Sequence, residues 1–163
     1  MKELHGAATG ATTVSPRECT RFLRAADRYP VWCPEVVREV EVLERNGEGD
    51  PARVRALLHM ARGPLVKDFH VVLEIAVELG STVELTRVPE DASDRERLEM
   101  IWRVGPGAAS VSGGPGEAEP TRISLELEAS LSVPRLLPLA GIGDDVAQSL
   151  CGAAVRALDA PSP

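Results

Sequence analysis

Residues 15–36 read SPRECTRFLRAADRYPVWCPEV, and this stretch decides how the rest of the chain is laid out. Ser15 stands at a helix cap, Pro16 at the first helical position and Glu18 three residues after the cap. That is a capping box, in which hydroxyl and carboxylate satisfy backbone N–H groups that a helix start leaves free. Cys19, Phe22, Leu23 and Ala26 recur at i, i+3, i+4 and i+7, so the spacing predicts an amphipathic helix. Arg17, Arg21, Arg24 and Arg28 fall on the other side. A solvated face is the ordinary reading of such a row, and an anionic partner the sharper one. Asp27-Arg28-Tyr29-Pro30 ends the helix. Val31-Trp32-Cys33-Pro34 lies between two prolines, which leaves room only for a very short second helix or a turn.

From Val36 the hydrophobic period changes from helical to two. Val40 and Val42 alternate with Glu39 and Glu41, and residues 46–50 (NGEGD) form a turn cluster. Val54, Ala56, Leu58 and Met60 then alternate with Arg53, Arg55 and His59, completing a hairpin. After Arg62-Gly63-Pro64, Phe69, Val71, Leu73, Ile75 and Val77 share one face, with Asp68, His70, Glu74 and Glu78 on the other. Val83, Leu85 and Arg87 follow the turn at Gly80-Ser81. Leu98, Met100, Trp102 and Val104 follow the acidic turn from Pro89 to Asp94. Residues 105–120, rich in Gly, Pro, Ser and Ala, read as a flexible loop. Ile123, Leu125, Leu127, Ala129, Leu131 and Val133 make the last alternation. Six strands at hairpin spacings predict an antiparallel sheet with one dry and one wet face.

The flanks complete the layout. Residues 1–8 read as frayed, and 9–14 as a short first strand weakened by Gly10. Residues 134–138 read as a proline-interrupted linker. Gly143-Asp144-Asp145 supplies a helix cap and early negative charge. Val146, Leu150, Cys151, Ala154, Val155 and Leu158 then repeat at helical spacing to about Ala160. This last helix is the candidate cover for the dry face. It is thin at Gly152-Ala153-Ala154, so it either packs very close to the sheet or leaves room for a guest.

Composition narrows the function. The chain has 163 residues, the size of one domain, and can bury a core without metal or disulfide staples. With 25 acidic and 18 basic residues its charge is −7, which argues against a nucleic-acid partner. Aromatic residues at 3% leave no platform for base stacking. Cys19, Cys33 and Cys151 are odd in number and widely spaced, with no CxxC pair, so no zinc or thioredoxin-type motif is present. No secretory signal and no run of about 20 apolar residues is seen. The expectation is a cytoplasmic protein with reduced thiols, no cofactor and no integral membrane segment. Exposed strand edges leave a dimer open.

The order of a weak strand, two short helices, an antiparallel ladder and a long last helix resembles the START-like (SRPBCC) superfamily. That superfamily has the helix-grip fold and includes polyketide cyclases and dehydrases, the birch-pollen allergen family and coenzyme Q-binding proteins. Residues 15–36, with Tyr29-Pro30-Val31-Trp32-Cys33-Pro34, look like its helix-then-"YPxWxP" signature. The strand ladder keeps its spacing, and residues 133–158 look like its last strand, proline linker and closing helix. The resemblance implies an α+β fold: a curved antiparallel sheet of six to seven strands wrapped around the long C-terminal helix, as a single unit over 1–163. It further implies an apolar cavity between the two. Parity then names the cavity-facing residues as Leu58, Met60, Phe69, Val71, Leu85, Met100, Trp102, Leu125 and Leu127 from the sheet, with Val146, Leu150 and Ala154 from the helix. Trp32 plugs one end, pins the short second helix or touches the ligand.

A pocket of this kind takes a hydrophobic small molecule, such as a lipid, a quinone or a polyketide-like compound. A close-packed core without a ligand is the alternative. Arg87 shares the apolar face, where it either anchors a ligand carboxylate or phenolate or reaches water from the strand end. His59, Asp68 and His70 fall on the wet face and read as a solvated row. A cyclase or dehydrase reading lacks an acid/base pair, because the only tyrosine, Tyr29, sits between the helices.

Overall fold

The computed structural model describes residues 2–62, 64–107, 120–132 and 141–160. Seven strands form one sheet: β1 (Lys2–Thr12), β2 (Val37–Arg45), β3 (Pro51–Arg62), β4 (Leu65–Glu78), β5 (Thr82–Arg87), β6 (Arg97–Pro106) and β7 (Thr121–Leu131). Helix α1 (Pro16–Arg24), a 3-10 turn (Ala26–Arg28) and the one-turn α2 (Tyr29–Trp32) follow β1, and α3 (Ile142–Asp159) closes the described chain. The strand order is β1-β7-β6-β5-β4-β3-β2, with every neighbouring pair antiparallel. The curved sheet, the short helices after the first strand and the long last helix make the helix-grip arrangement.

The start of the chain departs from its sequence reading. Lys2–Ala8 is not frayed, because β1 pairs with β7 along its whole length, from Lys2↔Leu131 to Thr12↔Thr121. Gly10, which weakens this segment as a strand, and Gly6 are what admit the helix. A Cβ on Gly6 would lie 2.0 Å from the Gly143 carbonyl oxygen, and one on Gly143 would lie 2.1 Å from the His5 oxygen. A Cβ on Gly10 would lie 2.7 Å from a Val155 methyl. Only residues without a side chain allow this approach of helix backbone to strand backbone. The Ala7 N–H also donates to Asp144 Oδ1 (3.1 Å), so the first turn of α3 is tied directly to β1.

Other boundaries shift slightly. Gly105 and Pro106 belong to β6 opposite Arg122 and Thr121, and the Gly107 N–H donates to the Pro120 carbonyl. The remainder of the expected loop, 108–119, lies outside the described residues, as do Val133 and the 134–138 linker. Helix α3 begins at Ile142, with Gly141 at φ 82° just before it.

At the N-terminus of α1 the serine half of the capping box forms: the Glu18 N–H donates to Ser15 Oγ (3.3 Å), while the Glu18 carboxylate turns to Arg21. Cys19, Leu23 and Ala26 are buried beneath α1 and the turn after it. Thr20, also fully buried, accepts from the Gly80 N–H (3.0 Å) and fastens α1 to the β4–β5 turn. The arginine row is divided. Arg21 pairs with Glu18 (2.7 Å), and Arg24 folds back onto Asp50 (3.2 Å), while Arg17 and Arg28 face solvent.

Candidate ligand site

The dry face of the sheet and the buried face of α3 meet over a core that is packed at one end and hollow at the other. At the packed end Trp102, Leu85, Leu125 and Ala154 are fully or almost fully buried, with Val71 beside them in the same cluster. Trp32 leans on Phe22 and Tyr29, with ring centroids 5.3 and 4.7 Å away. The Tyr29 hydroxyl donates to the Leu23 carbonyl (2.6 Å), and its burial pushes the phenol well above the usual tyrosine range. The Trp102 indole N–H faces that phenol without reaching hydrogen-bond geometry. The three thiols are free and buried. Burial, with smaller contributions from Asp159 and Glu18, pushes Cys19 up to about 11. Burial likewise pushes Cys33 up to about 11 and raises Cys151.

At the other end lies an apolar cavity of about 40 Å³. Its walls come from Leu4 of β1, Val36 and Val37 at the start of β2, Leu58, His59 and Met60 of β3, and Phe69 of β4. Leu98 and Met100 of β6, and Leu127, Ala129 and Leu131 of β7, complete the sheet side, and Ile142, Gly143, Val146 and Leu150 of α3 form the roof. A void lined this way stays dry. It adjoins an outer cleft of about 130 Å³ walled by Glu35, Val36, His59, Met60, Ala61, Ile142, Asp145, Val146 and Ser149. Val36, His59, Met60, Ile142 and Val146 are therefore common to both spaces.

The strand register explains why the wall is thin there. Strand β2 begins opposite Leu58, so β3 beyond that point has no β2 partner. The His59 N–H donates to the Val36 carbonyl (2.8 Å). Across the β3–β4 pair His59 faces Asp68, and its Nδ1 lies 2.5 Å from Asp68 Oδ1. The His59 side chain is only 16% exposed, while Asp68 is half exposed.

Seven residues named from parity share this lining: Leu58, Met60, Phe69, Met100, Leu127, Val146 and Leu150. Trp32, Val71, Leu85, Trp102, Leu125 and Ala154 do not: Trp32 stacks on Phe22 and Tyr29, and the other five are packed into the buried core away from the cavity. Parity tells which face a residue takes but not how far the covering helix stands away. Leu98, Ala129 and Leu131 had the right parity and line the cavity too. Leu4 was hidden by the reading of a frayed terminus. His59 had the outward parity, and only the early end of β2 brings it to the rim.

Arg87 goes elsewhere. Its side chain is 7% exposed, with Nη2 2.7 Å from Asp94 and 3.8 Å from Glu96, and Nη1 donating to the Glu96 carbonyl (2.9 Å). Asp94 also accepts from the Glu90 and Glu96 N–H groups. The Arg87 hydrogen bond, then these backbone bonds, hold the Asp94 carboxyl down at about 2. Arg87, almost buried, does not enter the cavity; it fastens the turn between β5 and β6. Beside that turn is a larger hollow of about 530 Å³, but it is open, and Arg87, Asp94, Arg95, Glu96, Arg97 and Glu99 are among its walls. It has the geometry of a solvated depression, not of an enclosed site. Among the described residues no three His, Cys, Asp or Glu side chains are grouped to hold a metal ion. No described helix is long and apolar enough to cross a membrane.

No protein-family model matches the sequence, and no curated protein matches it. Solved structures match its fold. A START superfamily protein from Mycobacterium smegmatis aligns over 94% of this chain and 96% of its own, at 15% identity and a TM-score of 0.68. Ara h 8.0201 aligns over 96% and 98%, at 13% identity and a TM-score of 0.56. The di-domain ARO/CYC protein BexL of the BE-7585A biosynthetic pathway aligns over 98% of this chain but 51% of its own, at 13% identity and a TM-score of 0.62. At these identities the likeness is one of fold.

Proposed function

We propose that this chain, a START-like helix-grip fold, binds a hydrophobic small molecule (a lipid, a quinone or a polyketide-like compound) between its sheet and α3. One observation carries the reading: a dry, almost wholly apolar cavity beneath α3 adjoins a surface cleft with which it shares five wall residues. Burial of ligand surface drives the binding, at about 2.5 kcal/mol per 100 Å² before ordering costs. The cavity of about 40 Å³ is far below the roughly 300–1,000 Å³ of an occupied site. Binding therefore draws on an opened form, and its apparent affinity is reduced by the fraction of molecules that are open. Met60, half-buried between cavity and cleft, is the natural door, since its unbranched side chain repacks readily. The same reading places the protein in a reducing, cytoplasmic setting, which its three unpaired thiols support.

A thermal-shift screen of wild type and Val146→Trp against lipids, quinones and aromatic polyketides tests this. Val146 is only half-buried, so an indole there fills the passage without breaking the core. We expect at least one class to stabilise the wild type and to lose its effect in the variant. No stabilisation by any class would point instead to a filled core and a protein that works through its surface.

A further inference from the structure

We propose that the ligand of this cavity is an apolar molecule ending in one singly charged carboxylate, as in a long-chain carboxylic acid, and that Lys67 holds that carboxylate outside the cavity. The inference rests on the binding reading above and names the class of molecule bound. The cavity surface is almost wholly apolar, so it offers a polar group no partner. The polar end of a ligand therefore stays outside, and the groups just outside select the ligand. The chain has two lysines, and both border this hollow end. Lys67 of β4 stands directly across from Met60, and Lys2 of β1 directly across from Leu131. Met60 and Leu131 both line the cavity. Opposed residues of an antiparallel pair share a face, so each lysine extends the inner face past the lining. Each also comes two residues before a lining residue of its own strand, Phe69 and Leu4.

Lys67 is the available one. It is exposed and makes no ion pair among the described residues. Its sequence neighbour Asp68 takes the opposite face and is engaged by His59. The apolar stem of Lys67 lies beside Met60 while its ammonium stays in water, which is how a lysine borders an apolar surface. Repacking of Met60 therefore opens the cavity next to a cation. The remaining charges at this end are Glu35 and Asp145 in the cleft, and Asp145 already has a partner. These carboxylates repel an anion, so the head turns from the cleft toward β4. They also weigh against a doubly charged head such as a phosphate monoester, whereas a single charge matches one lysine. An uncharged head gains nothing from Lys67, and a cationic head is repelled by it.

The test compares decanoate, 1-decanol and decylamine at neutral pH, which share a chain and differ in the charge of the head. Binding to wild type, Lys67→Gln, Lys67→Glu and Val146→Trp is measured by calorimetry below the micelle concentration, with circular dichroism as the control for folding. Lys67 is exposed, so its substitutions leave the core intact. Wild type should prefer decanoate to decanol by about fivefold, the upper end for an exposed ion pair, and the preference should fade in high salt. Lys67→Gln should bind the two alike, and Lys67→Glu should favour decylamine. Val146→Trp should lose all three. Equal wild-type affinities for decanoate and decanol, or a wild-type preference for decylamine, overturn the carboxylate assignment while the cavity reading stands. A preference that survives Lys67→Gln or high salt overturns it as well. Decanoate binding undiminished in Val146→Trp would be an adventitious surface ion pair only, and would also overturn it. Binding of none of the probes to wild type overturns both readings.

Discussion

The two ends of the sheet hold α3 in different ways. At β1 the helix rests on bare backbone, with Gly6 against Gly143 and Gly10 against Val155, and no side chain intervenes at the first contact. Toward β2 and β3 the same helix stands off, and Ile142, Val146 and Leu150 roof a cavity that continues into a cleft. One side of α3 is a clamp and the other a lid. The glycine contact cannot give without moving backbone, while the far side is closed by side chains that can change rotamer. Under the proposed function, a ligand would therefore enter from the β3 side, with β1 as the fixed edge.

Breaking the clamp should have the largest effect. Gly6→Val places a side chain where the Gly143 carbonyl already sits, and no rotamer relieves it. We expect a loss of about 3 kcal/mol or more by urea denaturation, at the upper end of overpacking costs. A loss under about 0.5 kcal/mol would mean that α3 is not seated on β1 as described. Enlarging the lid side should be milder. Met100→Ala removes a buried wall of an existing cavity, so the loss should be about 2 kcal/mol, the low end for such a truncation. The same variant should gain affinity for benzene, because an enlarged dry cavity takes apolar guests. Destabilisation without that gain would show that the space collapses when emptied.

The turn between β5 and β6 belongs to neither side and provides an independent control. Asp94 is held at about 2, below its ordinary 3.8. A depressed carboxyl stabilises the fold fully above its ordinary value and ceases to do so as pH falls through the folded value. Wild type should thus lose stability between about pH 4 and pH 2, and Asp94→Asn should show a shallower loss over that window in acid denaturation. Parallel curves would remove the Arg87–Asp94 pair from the account of that turn. The smallest effect concerns the thiols. Cys19 and Cys33, raised to about 11, should react with a disulfide reagent far more slowly in the folded protein than in urea. Equal rates would mean that the packed end opens readily.

The ladder and the capped first helix were legible because they are local: alternation, turn residues and a Ser-Pro-x-Glu start sit next to one another in the chain. The clamp was not. Gly10 reads as weakening a strand, and Gly6 as part of a frayed end, until a helix from the far end of the sequence is laid on them, and that approach is a tertiary fact. The cavity was half legible. Parity placed Met60, Met100 and Leu127 on the inner face along with Trp102 and Leu125, but only the first three border the cavity. Arg87 shows the same limit, since its neighbours in space, Asp94 and Glu96, lie beyond a turn whose path the alternation does not describe. His59 was misread for a similar reason, as its exposure depends on where β2 begins.

The most direct measurement is native mass spectrometry of the purified protein, followed by solvent extraction of whatever it carries. The account predicts a stoichiometric adduct of an apolar molecule in the wild type and bare protein for Val146→Trp. An adduct of equal abundance in both would place the ligand away from α3. Bare wild type that gains no adduct from added lipids, quinones or aromatic polyketides would contradict the central claim.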